Sequence, residues 1–143
     1  MDTREAAARE SIRDLVARYN ACGDSGRLDA MLELFAEDSV LEVPGRELRG
    51  PREIRTFFES VVHDPKRKPV RLLRHFTATH QIDIEGSDTA RGRCYYQVLT
   101  EHGLDHWGRY VDVYVKHEGR WLFSARKVSV DGMVPGSWAE HRN

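Results

Sequence analysis

Near residue 70 the apolar residues of this chain stop recurring every three or four positions and begin recurring every second one. That change limits the fold more than any other feature. Before it, Ala8, Ile12, Leu15, Val16, Tyr19 and Cys22 share one helical face, and Gly23 is the expected stop. Leu28, Met31, Leu32 and Phe35 make a second stripe, with Asp24 or Ser25 available as its N-cap. Ser39 to Val43 reads as a short strand ended by Pro44-Gly45, with Leu48-Arg49-Gly50 as a brief return. A third helix opens on Pro51 and carries Ile54, Phe57, Phe58, Val61 and Val62. His63 to Pro69 is a polar, basic loop.

After the change come four strand-like segments: Val70 to Glu85, Ala90 to Glu101, His106 to His117, and Arg120 to Val130. Separators short enough for hairpins join them, so sequential antiparallel pairing is the simplest topology. Three helices followed by a long meander make an α+β chain. Strands this long twist and curl, so the expected form is a cone-shaped, curved antiparallel sheet packed with three N-terminal helices around an apolar pocket. Residues 1–130 form the expected domain. Residues 131–143, rich in glycine and proline, form a tail expected to lie over the pocket mouth or a neighbouring subunit, anchored by Met133 or Trp138.

The 143 residues suit one domain, and 22 basic against 23 acidic residues leave no charge to attract nucleic acid or an anionic membrane. No apolar run approaches the ~20 residues of a membrane helix, and the charged N-terminus does not resemble a secretory signal. Two distant cysteines, Cys22 and Cys94, fit buried thiols in a reducing cytoplasm. The histidines form no metal-ligand motif, since His75 and His80 lie five apart on one strand and point to opposite faces unless a bulge intervenes. No phosphate-binding glycine loop is present. A cofactor and a metal are therefore not expected.

Several phrases resemble the SnoaL-like branch of the nuclear transport factor 2-like superfamily. They are Tyr19 to Asp29, Leu34-Phe35-Ala36-Glu37-Asp38, Gly50-Pro51-Arg52-Glu53-Ile54, Arg74-His75-Phe76, and Gly108-Arg109-Tyr110 through Gly119-Arg120-Trp121. The resemblance runs from about Ala8 to Val130. It implies the cone fold, and it implies chemistry like that of scytalone dehydratase, the bile-acid dehydratases and the hexachlorocyclohexane dehydrochlorinase. Those enzymes pair an Asp after the first helix with a His on the first long strand. Asp24 and His75 stand at those places, and Tyr19 and Arg126 near two further active-site positions. Where the bile-acid dehydratases carry an Asp on the second long strand, this chain has Tyr96, Gln97 and Val98, so no one catalytic set is fully reproduced. Members of this fold often pack their open sheet faces together, which implies a homodimer.

An imidazole is the natural base for removing a proton from an activated C–H near neutral pH, and a carboxylate on its other nitrogen holds the tautomer. The candidate catalytic residues are therefore His75, Asp24 and Tyr19. Arg126, Asp112 and Tyr96 are candidate substrate contacts, although Arg126 and Asp112 on neighbouring strands equally suit a structural salt bridge. Asp24 equally suits a helix cap, His75 a structural strand histidine and Tyr19 the core. The expected function is a cofactor-independent lyase or isomerase acting on a small hydrophobic, ring-containing molecule. A non-catalytic ligand-binding domain of the same fold is the alternative.

Overall fold

The computed structural model of the chain describes residues 1–141, and the last two residues of the expected tail lie outside that range. Helix α1 (Thr3–Ser25) starts where the Asp2 carboxylate accepts the Glu5 backbone N–H at 2.8 Å. Its buried face carries Ile12, Leu15, Val16, Tyr19 and Cys22, as the spacing requires. The helix runs two residues beyond Gly23, expected as its stop, to Ser25. Gly26 takes the left-handed conformation (φ 71°), and the Arg27 N–H closes the end on the Cys22 carbonyl at 2.9 Å. A Cβ on Gly23 would crowd the Met31 side chain at 3.1 Å, whereas one on Gly26 would meet nothing within 4 Å. Asp24 therefore sits in the last helical turn and not in a loop.

Helix α2 (Leu28–Leu32) is a single turn without a side-chain cap. Ser25 donates back to the Ala21 carbonyl instead, and Asp24 is engaged elsewhere. Phe35, expected on this helix, opens strand β1 (Phe35–Val43), where it pairs opposite Phe123. A short apolar run such as Leu34-Phe35-Ala36 reads equally as helix end or strand start, and pairing decides it. Strand β2 (Arg46–Arg49) returns from β1, and helix α3 (Gly50–Val62) follows with Pro51 in its first turn.

Strands β3 (Arg74–Ile84), β4 (Thr89–Thr100), β5 (Gly103–His117) and β6 (Arg120–Met133) form the expected antiparallel meander. The sheet order is β2-β1-β6-β5-β4-β3, with β1 parallel to β6 and Leu41 opposite Arg126. Register shifts in the β3–β4, β4–β5 and β5–β6 ladders add twist, so the six strands curl into an unclosed cone with β2 and β3 at its edges. The helices fill its concave side. Ile12, Val16, Leu41, Ile54 and Phe123 are wholly buried between the layers, each worth about 1.5–3 kcal/mol relative to exposure.

Two details set up the interior. The β3–β4 register shifts between Ala78 and Gln81, where Thr79 takes a positive φ of 55°. That bulge resets the alternation, so His75 and His80 both face inward. Strand β6 also continues through Asp131 to Met133, and the segment beyond it closes with a 3₁₀ turn at Trp138–His141. Among the described residues no helix is long and apolar enough to cross a membrane.

Candidate active site

The mouth of the cone holds a cavity of about 130 Å³. Its wall is mostly apolar, with Met31, Val43, Phe57, Phe58, Val61 and Val128 prominent, and its polar groups come from few elements. Helix α1 contributes Tyr19 and Asn20, β3 contributes His75, and Tyr96 and Tyr110 come from β4 and β5.

Asp24 and His75 meet at the edge of this cavity. The His75 ring Nδ1 lies 2.5 Å from Asp24 Oδ1, and the His75 backbone N–H donates to Asp24 Oδ2 at 3.0 Å. One carboxylate thus fixes both the strand and its side chain. A carboxylate in the last turn of a helix faces the negative end of the helix dipole, and these two hydrogen bonds offset that cost. With Nδ1 bound to Asp24, the proton sits there and Nε2 is left as an acceptor. Nε2 makes no hydrogen bond among the described residues, and the ring lines the cavity. The two side chains remain 17% and 13% accessible, so the pair is sheltered without being sealed.

Tyr19 lines the cavity from an aromatic cluster with Phe35, Phe58, Tyr110 and Phe123. Tyr96 contributes its ring and stacks on Tyr110 at 4.5 Å, while its hydroxyl donates to the Ser129 carbonyl at 3.0 Å. Gly108 makes that bond possible, because a Cβ there would lie 2.7 Å from the Tyr96 hydroxyl oxygen and 1.8 Å from the Ser129 carbonyl oxygen.

Arg126 and Asp112 are not among the residues that line this cavity. They lie behind the tyrosines, wholly buried, joined by two hydrogen bonds of 2.7 and 2.9 Å. The guanidinium lies over both rings, 3.9 Å from the centroid of Tyr110 and 4.4 Å from that of Tyr19. Burial opposes its charge, but Asp112 more than compensates and keeps its pKa raised. Of the two roles open to this pair from sequence, the structure places it as a salt bridge. Tyr114 donates to Asp112 at 2.8 Å and meets His80 Nε2 at 3.1 Å, which extends the network to β3. Burial pushes the Cys94 thiol up to about 11, which leaves it inert at neutral pH.

Three wall or support residues were not singled out as active-site groups by sequence. Asn20 hides in a helical stripe where an asparagine carries no periodic signal. His106, expected to open the third strand-like segment, lies inside β5, which begins at Gly103, and is wholly buried with Nδ1 bonding Asp105 at 2.8 Å. Trp138, singled out only as a tail anchor, closes one side of the cavity. Its backbone N–H donates to Asp105 Oδ1, Ser137 donates to Asp105 Oδ2, and the Arg67 guanidinium lies 4.4 Å over its ring. Burial works against the Asp105 charge, yet Ser137, the Trp138 N–H and His106 hold its carboxyl below the usual range. Met133, the other expected anchor, is 40% exposed. Among the described residues no group of three or more His, Cys, Asp or Glu side chains is arranged to hold a metal ion.

A model of the SnoaL-like domain matches residues 4–127. The chain belongs to the SnoaL-like domain family. Solved structures agree with that placement. A nuclear transport factor 2-like protein with a cystatin-like fold from Novosphingobium aromaticivorans is 25% identical, and the match covers 94% of each chain with a TM-score of 0.71. A protein from the same organism, named as a candidate scytalone dehydratase, is 19% identical over 94% of this chain and 91% of its own, with a TM-score of 0.81. The hexachlorocyclohexane dehydrochlorinase LinA-type3 of Novosphingobium barchaimii LL02 is 18% identical over 94% and 93%, with a TM-score of 0.76. Among curated proteins none matches. At these identities the dehydratase and dehydrochlorinase likenesses establish the fold. What this SnoaL-like domain does rests on its own cavity.

Proposed function

We propose that this SnoaL-like domain is a cofactor-independent lyase or isomerase that removes a proton from a small, hydrophobic, ring-containing molecule. The observation that carries this reading is His75, hydrogen-bonded through Nδ1 to Asp24 while its other nitrogen borders the cavity. A domain that only held a ligand would have no need of a carboxylate fixing the imidazole. Family membership and solved structures named for dehydration and dehydrochlorination add support.

In this mechanism His75 Nε2 takes a proton from a carbon of the ring. The C–H electron pair forms a double bond as a leaving group departs with its own pair from the neighbouring carbon. Asp24 stabilises the imidazolium that results. If the leaving group is hydroxide, the imidazolium returns the proton to it as water. If nothing leaves, returning the proton to a different carbon completes an isomerisation. The apolar wall excludes water that would compete for the proton.

The test offers the protein a β-hydroxy ring ketone and a chlorinated cyclohexane and follows product formation. His75→Ala is expected to lower turnover of whichever is processed by about 10²–10⁴-fold, and Asp24→Asn to lower it within the same range. Cooperative melting should persist in both. Full turnover by His75→Ala sinks the mechanism, and ligand binding without turnover of either compound moves the domain to the non-catalytic reading.

A further inference from the structure

Asn20 is polar, only 7% exposed, and on the cavity wall, yet proton abstraction by His75 gives it no task. It precedes Asp24 by four residues on α1, so the two share a helix face one turn apart. The Tyr110 hydroxyl donates to Asn20 Oδ1 at 3.2 Å. That bond turns the amide so that its two N–H donors form the other end. Nδ2 makes no hydrogen bond among the described residues, and Asn20 lines the cavity. Tyr110 cannot easily swing away. Its ring is stacked on Tyr96 and sits under the Arg126 guanidinium, and burial keeps its hydroxyl protonated. An oriented pair of neutral donors in a mostly apolar space is a costly thing to leave unmatched.

The rest of the wall narrows what would match it. Among the described residues no lysine or arginine lines this cavity, so a carboxylate or phosphate would be buried against them without a counter-charge. The volume of about 130 Å³ is close to that of an engineered cavity, ~150 Å³, that holds benzene.

We propose that Asn20 Nδ2 donates to the carbonyl oxygen of the substrate, and that the substrate is a neutral, single-ring ketone or enone. This rests on the His75 mechanism above and adds to it the group that receives the negative charge. His75 Nε2 takes the proton from the carbon beside the carbonyl, and that C–H pair becomes a carbon–carbon double bond. The carbonyl π pair moves onto oxygen, and the enolate oxygen accepts from Asn20. Return of the proton from the imidazolium restores the ketone, and no oxidant or reductant is consumed.

The experiment follows exchange of the ring hydrogens of cyclohex-2-en-1-one in D₂O by NMR, with cyclohexene as a binding control. The native chain should accelerate exchange, and Asn20→Leu should slow it by about 10²–10³-fold, the loss typical of one missing oxyanion donor. Enone binding should weaken in that variant while cyclohexene binding stays the same. Asn20→Asp keeps the shape and the acceptor for Tyr110, and it should lose exchange as well; it stands in if the leucine variant does not fold. Native exchange rates in both Asn20 variants, with His75→Ala inactive, overturn the role of Asn20 and leave the His75 mechanism standing. Full exchange by His75→Ala overturns both. No acceleration by the native chain overturns the ketone assignment, and turnover of the chlorinated cyclohexane then decides the His75 mechanism separately.

Discussion

Asp24 spends both carboxylate oxygens on one residue, the ring and the backbone N–H of His75. An asparagine there keeps one acceptor oxygen and turns the other position into a donor facing a donor. Asp24→Asn should therefore cost about 1–3 kcal/mol of stability in addition to activity, measured by urea unfolding. Asp112 and Arg126 make the sharper contrast. Their charges are wholly buried and satisfy each other. Removing one partner strands the other, so Asp112→Leu should cost about 3–5 kcal/mol. Replacing both, as Asp112→Leu with Arg126→Met, should recover part of that loss. A double variant as unstable as the sum of the two singles would show that the pair is not the coupled unit described here.

At the scale of elements, the β3 bulge does more than bend a strand. It places His80 inside, against Tyr114 and near Asp112, Arg126 and Arg13. Desolvation pulls the His80 pKa below its ordinary value; Asp112 opposes that pull, and Arg13 and Arg126 add to it. Between the folded and ordinary values the unfolded chain binds the extra proton. The stability contributed by neutral His80 is thus complete above the ordinary value and is lost as pH falls through the folded one. His80→Gln keeps a partner for Tyr114 without the titration. Its melting temperature should fall less than that of the native chain between about pH 7.5 and about pH 5. Parallel melting curves would remove His80 from the account of acid sensitivity.

At the scale of the whole molecule, the outer face of the sheet carries apolar side chains that nothing among the described residues covers. Phe76 is 52% exposed, Tyr95 57% and Val111 47%, on three neighbouring strands. A homodimer through this face is the proposal that accounts for them. Sedimentation velocity should give a dimer for the native chain and a monomer for Val111→Arg, with the melting transition of the domain still cooperative. A native monomer at micromolar concentration would refute it.

Much of this was legible without coordinates because it depends on local periodicity. The helical stripe from Ala8 to Cys22 and the alternation through β4 and β5 follow from which positions can face a core, and hairpin-length separators leave little choice of order for β3 to β6. The pairing of His75 with Asp24 was reachable only by resemblance, since the residues lie 51 apart and no spacing rule joins them. Tertiary structure decided the rest. The parallel pairing of β1 with β6 joins distant segments, the helix ends at the left-handed Gly26 and not at Gly23, and the bulge at Thr79 overrides strand parity. Asn20 became a candidate site residue only when the fold set it on the cavity wall beside Tyr110. A side chain's type is written in the sequence, but whether its donors face a partner, solvent or an empty cavity is settled by what packs around it.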